Sequence, residues 1–284
     1  MHPGFETEEI EMKLELFPPL KPLQPYVAKI WVFSNSGRLP SDDMKLIVPN
    51  GMVKLIIPVE NGLVGRYDGW SHHSQESSIT LIGIADSPAY VDVAIDAPHT
   101  NIGIEFNPLG AYRIFRLRHA DLKNKIVELE DVLGVEARLL NERIADTPYI
   151  GRKIEMIQAY LLTLLHRSEP DLVLDYCLRQ IAGTKGLVTV TELEKKSGYS
   201  SRWLYNKFIE KVGLSPKNLS SVTRFMQFYE ASAVNPTLDF FKDDIYDYFY
   251  DQAHFIKDFK RFTGMPPSRF IKTDNGFGHI FYRD

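Results

Sequence analysis

Residues 200–219 read SSRWLYNKFIEKVGLSPKNL, and residues 251–270 read DQAHFIKDFKRFTGMPPSRF. Laid over one another without a gap, they place Leu204 on Phe255, Phe208 on Phe259, Gly213 on Gly264, Pro216 on Pro267 and Leu219 on Phe270. Ser200 and Asp251 also coincide. Both residue types accept hydrogen bonds from the backbone N–H groups left unpaired at a helix start. Each copy therefore reads as a capped helix with core positions four residues apart. A glycine stands where the chain must leave the helix, and a proline opens the next one. Whatever the rest of the chain folds into must accommodate both hard-stopped helices.

Between the copies, SPKNLSSVTRFMQFYEASAVNP reads as one helix, capped by Ser215, opened by Pro216 and ended at Asn235-Pro236. About 18 residues at ~1.5 Å each make a rod of roughly 27 Å. Upstream, VTVTELEKKSGYS supplies a short helix with Gly198 in the turn. Helix, tight turn and second helix then follow in helix-turn-helix order, the second helix being the one that enters a DNA major groove. A rod of that length places two such helices near one DNA turn apart, ~34 Å.

With Leu204 and Phe208 turned inward, the opposite face carries Arg202, Tyr205, Asn206 and Ile209, with Ser201 at the N-terminal end. With Phe255 and Phe259 inward, the opposite face carries Ala253, His254, Lys257, Lys260 and Arg261, with Gln252 at the tip. Arginine pairs bidentately with guanine, and asparagine or glutamine with adenine. Lys207, Lys217, Arg224, Lys260, Arg261 and Arg269 are the expected phosphate contacts, which position a protein without specifying sequence. Arg224 has a second reading, as a brace of the rod against a neighbouring carboxylate.

The words GYSSRWLYNKF, GLSPKNLSSVTRF and YDQAHFIKDFKRFTGMPPSRF resemble the DNA-binding domain of the AraC/XylS family of bacterial transcriptional regulators, over roughly residues 184–273. PYVAKIWVF, LIVPNGMVKLII and IGIEFNPLGAYRIF are similar to the sensor region of one branch of that family. The resemblance implies base contacts from Ser201, Arg202, Tyr205 and Asn206, and from Gln252, Ala253, His254 and Lys257. It implies a cytoplasmic, nucleoid-associated bacterial regulator of transcription. The partners expected are double-stranded DNA, a small-molecule effector, RNA polymerase and a second copy of the chain. The sequence departs from the family pattern where the first helix of each unit usually carries a small residue: here stand Glu194 and Asp244. Tyr248 replaces the second turn glycine, and Asp243, Asp244 and Asp247 add negative charge there. The first unit is therefore expected to carry most of the specificity. The alternative is an effector-binding or protein-interaction module whose DNA reader has degenerated.

The formal charge of −4 speaks against a general nucleic-acid binder, but it is unevenly spread. Residues 184–284 balance at +3 and residues 1–183 at −7, which places an anionic partner at the back. The single cysteine, Cys177, sits in an apolar helical pattern and reads as a packing thiol in a reducing compartment. The acidic start MHPGFETEEIEMK is no signal peptide, and no run approaches ~18 apolar residues, so no membrane partner is expected.

Seven short runs between residues 11 and 106 read as strands, from EMKLELF to NIGIEF, with Asn50-Gly51 as the clearest hairpin signal. After Pro108 the period becomes helical. The fold class expected is α+β: an N-terminal antiparallel β barrel or sandwich, a helical middle, and a C-terminal all-α domain with two helix-turn-helix units. The divisions are residues 1–125 for a sensor, 126–183 for a connector or dimerisation region, and 184–284 for the DNA reader. Trp31, Phe33, Tyr67, Trp70 and Phe106 are the aromatics that could line an effector cavity, against core packing. The stripe Ile150, Ile154, Ile157, Leu161 and Leu165 reads as internal packing or a dimer seam. His72-His73 lacks completing ligands for a metal, and no P-loop, GxGxxG, GxSxG or HExxH is present. No catalysis, metal or cofactor is expected.

Overall fold

A computed structural model describes residues 12–37, 39, 43–67, 70–93, 97–234 and 252–282. The front half is antiparallel β, as the alternating runs predict. One sheet has six strands, β1 (Met12–Phe17), β2 (Val27–Asn35), β9 (His99–Phe106), β4 (Val53–Glu60), β7 (Thr80–Ile82) and β10 (Ile126–Glu128), in that spatial order. The other has four, β3 (Leu46–Ile47), β8 (Ala89–Val93), β5 (Leu63–Tyr67) and β6 (Trp70–His73). Strands β5, β6 and β10 escaped the sequence reading; β10 pairs with β7, so the sheet takes material from beyond residue 125.

The two-residue period of the strands sorts the core into two layers. On the outer face of the six-stranded sheet, Ile30, Leu55, Ile57, Ile102, Ile104 and Phe106 pack under the helices. On the inner face, Trp31, Phe33 and Ile56 look toward the second sheet. Gly103 makes this inner face possible, because a Cβ there would overlap the indole of Trp31 lying across the strand.

Asn50-Gly51 forms no hairpin. Strands β3 and β4 belong to different sheets, and the turn carries the chain from one to the other. Gly51 has φ +74° and rests against Leu219 and Val222 of the rod. The local signal for a tight turn was sound; which strands it joins depends on pairings remote in sequence.

Helices α1 (Pro108–Phe115), α2 (His119–Leu122), α3 (Leu129–Leu133), α4 (Val135–Ala145), α5 (Ile150–His166) and α6 (Leu172–Gly183) follow. The α5 stripe faces inward: Ile154, Ile157, Leu161 and Leu165 are buried in the common core and Ile150 is packed against it. It is therefore no dimer seam, since covering it again would need the chain to open. Cys177 is buried, and burial together with the charge of Asp171 pushes its thiol up to about 11, consistent with a packing role.

Then come α7 (Val190–Ser197), α8 (Ser201–Val212), the rod α9 (Pro216–Val234), α10 (Gln252–Thr263), α11 (Pro267–Phe270) and α12 (Gly276–Ile280). The core is continuous: one buried cluster runs from Leu55 and Ile104 through Leu161 and Leu178 to Phe208, Phe225 and Phe259. Helix α8 packs on α1 and α2 as well as on α7 and α9. No described helix is long and apolar enough to cross a membrane.

Candidate nucleic-acid interface and barrel cavity

The repeat folds as two matched helices on one rod. Gly213 and Gly264 end α8 and α10 with φ of +86° and +79°, the left-handed conformation that glycine adopts without strain. The Ser200 hydroxyl accepts from the Trp203 N–H at 3.3 Å, and the Ser215 hydroxyl from the Asn218 N–H at 3.2 Å. Phe255, Phe259 and Phe262 are fully buried against Phe225 and Phe228 of α9, with ring centroids 5.1–5.7 Å apart.

The outward faces are open. Ser201, Arg202, Tyr205 and Asn206 are exposed on α8, as are Ala253 and Lys257 on α10; Ile209 is half-buried. His254 is half-buried, with Nδ1 3.7 Å from the Asp258 carboxylate. Gln252 begins α10, and its side chain lies outside the described residues. So do Asp243, Asp244, Asp247, Tyr248 and Asp251, and with them the first helix of the second unit.

Glu194, in place of a small residue, has a local task. Its carboxylate accepts from the Ser201 N–H at 3.1 Å, pairing one of the orphan donors of α8 and placing negative charge at the positive helix end.

The six expected phosphate contacts divide. Lys217, Lys260 and Arg269 are exposed. Lys207 is ion-paired to Asp171 and lies 5.5 Å from the Trp203 ring centroid. Arg224 is buried, donating to the Gly186 carbonyl and, at 3.1 Å, to the Ser221 hydroxyl. Buried there, it is no phosphate contact; it braces the rod through the Gly186 carbonyl. Arg261 donates to Asp86 at 2.6 Å and to Asn218 at 3.5 Å. Asp86 belongs to the loop before β8, so α10 is latched to the barrel. Burial pushes the Asp86 carboxyl up, but hydrogen bonds from Lys123 and Asn124 and the charges of Lys123 and Arg261 outweigh it and leave it below its ordinary value. A depressed carboxylate stabilises the latch above its ordinary pKa and ceases to do so as pH falls through the lowered value.

Inside the barrel is a cavity of about 90 Å³, bounded by Trp31, Lys54, Ile56, Tyr67, Phe277 and Phe281 among others. Of the five aromatics chosen from sequence, Trp31 and Tyr67 line it. Phe33 lies on the same face but is covered by Phe277 and Phe281, at 5.4 and 5.9 Å between centroids. Trp70 is 45% exposed and stacks on His72, and Phe106 points the other way, against Phe115. The two-residue period explains Phe106: even-numbered residues of β9 share the helix-covered face. Burial alone pushes the Tyr67 phenol up to about 12, so it stays neutral.

The polar end of the barrel interior is organised by Glu105, which is buried. It accepts from the Trp31 indole at 3.2 Å and from Asn50 at 3.0 Å, and pairs with Lys54 at 3.5 Å. Among the described residues no cluster of ligands suited to a metal is present.

The profile of a family described only as a domain of unknown function, DUF6597, matches residues 15–128. No curated protein sequence matches the chain significantly. Among solved structures, the chain is similar to ToxT from Vibrio cholerae with unsaturated fatty acid bound, at 13% identity and a TM-score of 0.45, over 88% of this chain and 96% of that one. A second ToxT structure from Vibrio cholerae gives 14% and 0.40 over 93% and 98%. The cupin domain of an XRE-family transcriptional regulator from Enterobacter cloacae gives 11% and 0.27 over 33% of this chain and 94% of that domain.

The matched segment ends at Glu128, the last residue of β10. Glu105, Asn50 and Lys54 were missed from sequence because each sits singly in an apolar run. Only the strand register β2–β9–β4 brings Trp31, Gly103 and Ile56 side by side, and with them Lys54 and Glu105. Phe277 and Phe281 were missed for a different reason: nothing in a five-residue helix says that its partner lies more than 240 residues away.

Proposed function

We propose that the chain is a sequence-specific, DNA-binding transcriptional regulator of the AraC type, with the barrel as a small-molecule sensor and no catalysed reaction. One observation carries the reading. Two helices with the same glycine stop and buried aromatic or aliphatic faces flank one rod, and Ser201, Arg202, Tyr205, Asn206, Ala253 and Lys257 all stand exposed on them. That is base-reading chemistry held on rigid elements rather than on loops. The test is selection of bound fragments from the source genome followed by footprinting. A protected region spanning two successive major-groove segments is expected. Failure to shift any fragment across a range of salt would overturn the reading.

Phosphate neutralisation makes the affinity salt-dependent, with a slope of about −0.9 per phosphate neutralised. Lys260→Ala is expected to shallow the slope by ~0.9. Arg224→Ala is expected to leave it unchanged while lowering the melting temperature, because its guanidinium serves the rod. Asp86→Asn frees Arg261 and is expected to steepen the slope by up to ~0.9. Equal slopes for Lys260→Ala and the unaltered protein would remove Lys260 from the interface.

A further inference from the structure

The barrel is already occupied by the chain itself. Phe277 and Phe281 enter its interior, where Phe281 lies 4.9 Å from Trp31 and Phe277 meets Phe33 edge-on at 5.4 Å. Beside them the Tyr282 hydroxyl is 3.2 Å from Asn50, the residue that also donates to Glu105. An aromatic group with a hydroxyl on the polar side is the chemistry that this interior receives.

The plug is attached through a few polar contacts. The Asn275 amide pairs with both backbone groups of Leu46, accepting from N–H at 2.8 Å and donating to C=O at 3.0 Å, and so covers part of the short strand β3. Asp43 accepts from the Phe277 N–H at 2.7 Å, Met44 donates to the Asp274 carbonyl at 3.0 Å, and Lys29 donates to the Phe281 carbonyl at 3.1 Å. Gly278 allows the close approach, since a Cβ would overlap the Leu46 carbonyl. Asn275 also donates to the Tyr229 hydroxyl on α9 at 2.9 Å, and the Tyr229 ring meets His279 and Tyr282 at 5.1 and 5.4 Å. The plug therefore joins the barrel to the rod between the two recognition helices.

Space makes occupation exclusive. With the plug in place the cavity is about 90 Å³, whereas pockets for small ligands run from roughly 300 to 1,000 Å³. A benzene-sized group occupies a cavity of ~150 Å³. Withdrawing two phenyl rings therefore brings this interior to roughly 400 Å³, within the ligand range.

We propose that α12 is a resident ligand mimic: a flat aromatic molecule bearing a hydroxyl group binds in the barrel only by expelling Phe277 and Phe281, and this breaks the contacts that α12 makes between β3 and Tyr229 of α9. The proposal rests on the reading of the barrel as a sensor.

The probe is 2-naphthol, with naphthalene as the hydroxyl-free control, titrated into the full chain and followed by tryptophan fluorescence. Two variants accompany it: Phe277→Ala with Phe281→Ala, which empties the cavity, and Gly278→Ala, which levers α12 off β3 while keeping both rings. Both variants are expected to bind 2-naphthol at least ten-fold more tightly than the unaltered chain, and naphthalene at least five-fold more weakly than 2-naphthol. Hydrogen exchange on the unaltered chain needs no variant. Saturating 2-naphthol is expected to speed exchange of the Leu46 and Phe277 amides at least ten-fold. Binding with both amides unaffected overturns the mimic while leaving the barrel a sensor. No binding even to the emptied variant overturns both. Loss of all DNA binding in the unaltered chain, with the amide response intact, overturns the DNA-reader half of the function and supports this inference.

Discussion

Replacing Arg202 and Asn206 together by alanine is expected to erase the preference for the selected site while leaving weak, salt-sensitive binding to any duplex. Both side chains stand exposed on the outer face of α8, whose opposite side is fixed by buried Leu204 and Phe208. Each good bidentate base contact contributes ~1–3 kcal/mol of discrimination, so losing two costs roughly 30-fold to 10⁴-fold in specificity. Phosphate contact is expected to persist, because the exposed Lys217, Lys260 and Arg269 remain. Lys257→Ala on α10 is expected to have the smaller effect. The first unit is complete, with Thr189 and Glu192 forming a capping box, Gly198 in the left-handed turn and Glu194 on the α8 N-terminus. Competition binding against site and random duplex measures both. If Lys257→Ala abolished site preference while the double variant kept it, the ranking of the two units would be reversed.

The second large effect is a loss of stability under mild acid, traced to His119. This residue is fully buried at the start of α2, where α2 packs on α8 and Gly213 closes against the His119 carbonyl. Burial lowers its pKa to about 4; the charge of Lys211 adds to this and the nearby Ala111 backbone opposes it. The folded chain thus keeps the ring neutral, while the unfolded chain takes up a proton near the unperturbed value of ~6.5. The contribution of His119 is complete above that pH. It declines as pH falls from about 6.5 toward 4, and the decline amounts to about 3 kcal/mol. For a chain of this size that is a fall of roughly 6–12 °C in Tm. Melting curves of the unaltered protein and His119→Leu between pH 7 and 4.5 measure it. The variant is expected to lose less by that margin; parallel curves would show that His119 does not set the acid response.

Much of the C-terminal repeat was legible from residues alone. The caps, the glycine stops and the inward faces of α8, α9 and α10 follow from short-range rules, and the structure keeps them at Ser200, Ser215, Gly213 and Gly264. Strands with strong alternation were legible too. Short or polar strands such as β6, WSHH, were not, because pairing with β5 and not propensity makes them strands. The fates of the basic residues were the least legible. Arg224, Arg261 and Lys207 look alike on a helix wheel, yet one braces a carbonyl, one latches to Asp86 and one pairs with Asp171. Charge and spacing place a side chain on a face; they do not reveal which remote group lies opposite.

The sequence by itself determined much of the local architecture: the caps and glycine stops of the repeat, which face of each of its helices is apolar, and that the front is antiparallel β. These are decided by backbone stereochemistry and periodicity within a few residues. Only the tertiary structure decided that Asn50-Gly51 crosses between sheets, that Glu105 gathers Trp31, Asn50 and Lys54, that Asp86 holds Arg261, and that Phe277 and Phe281 fill the barrel. Each of those depends on burying surface between segments far apart in the chain. The free energy of such burial is set by the complementarity of the two partners, and neither segment carries that information alone.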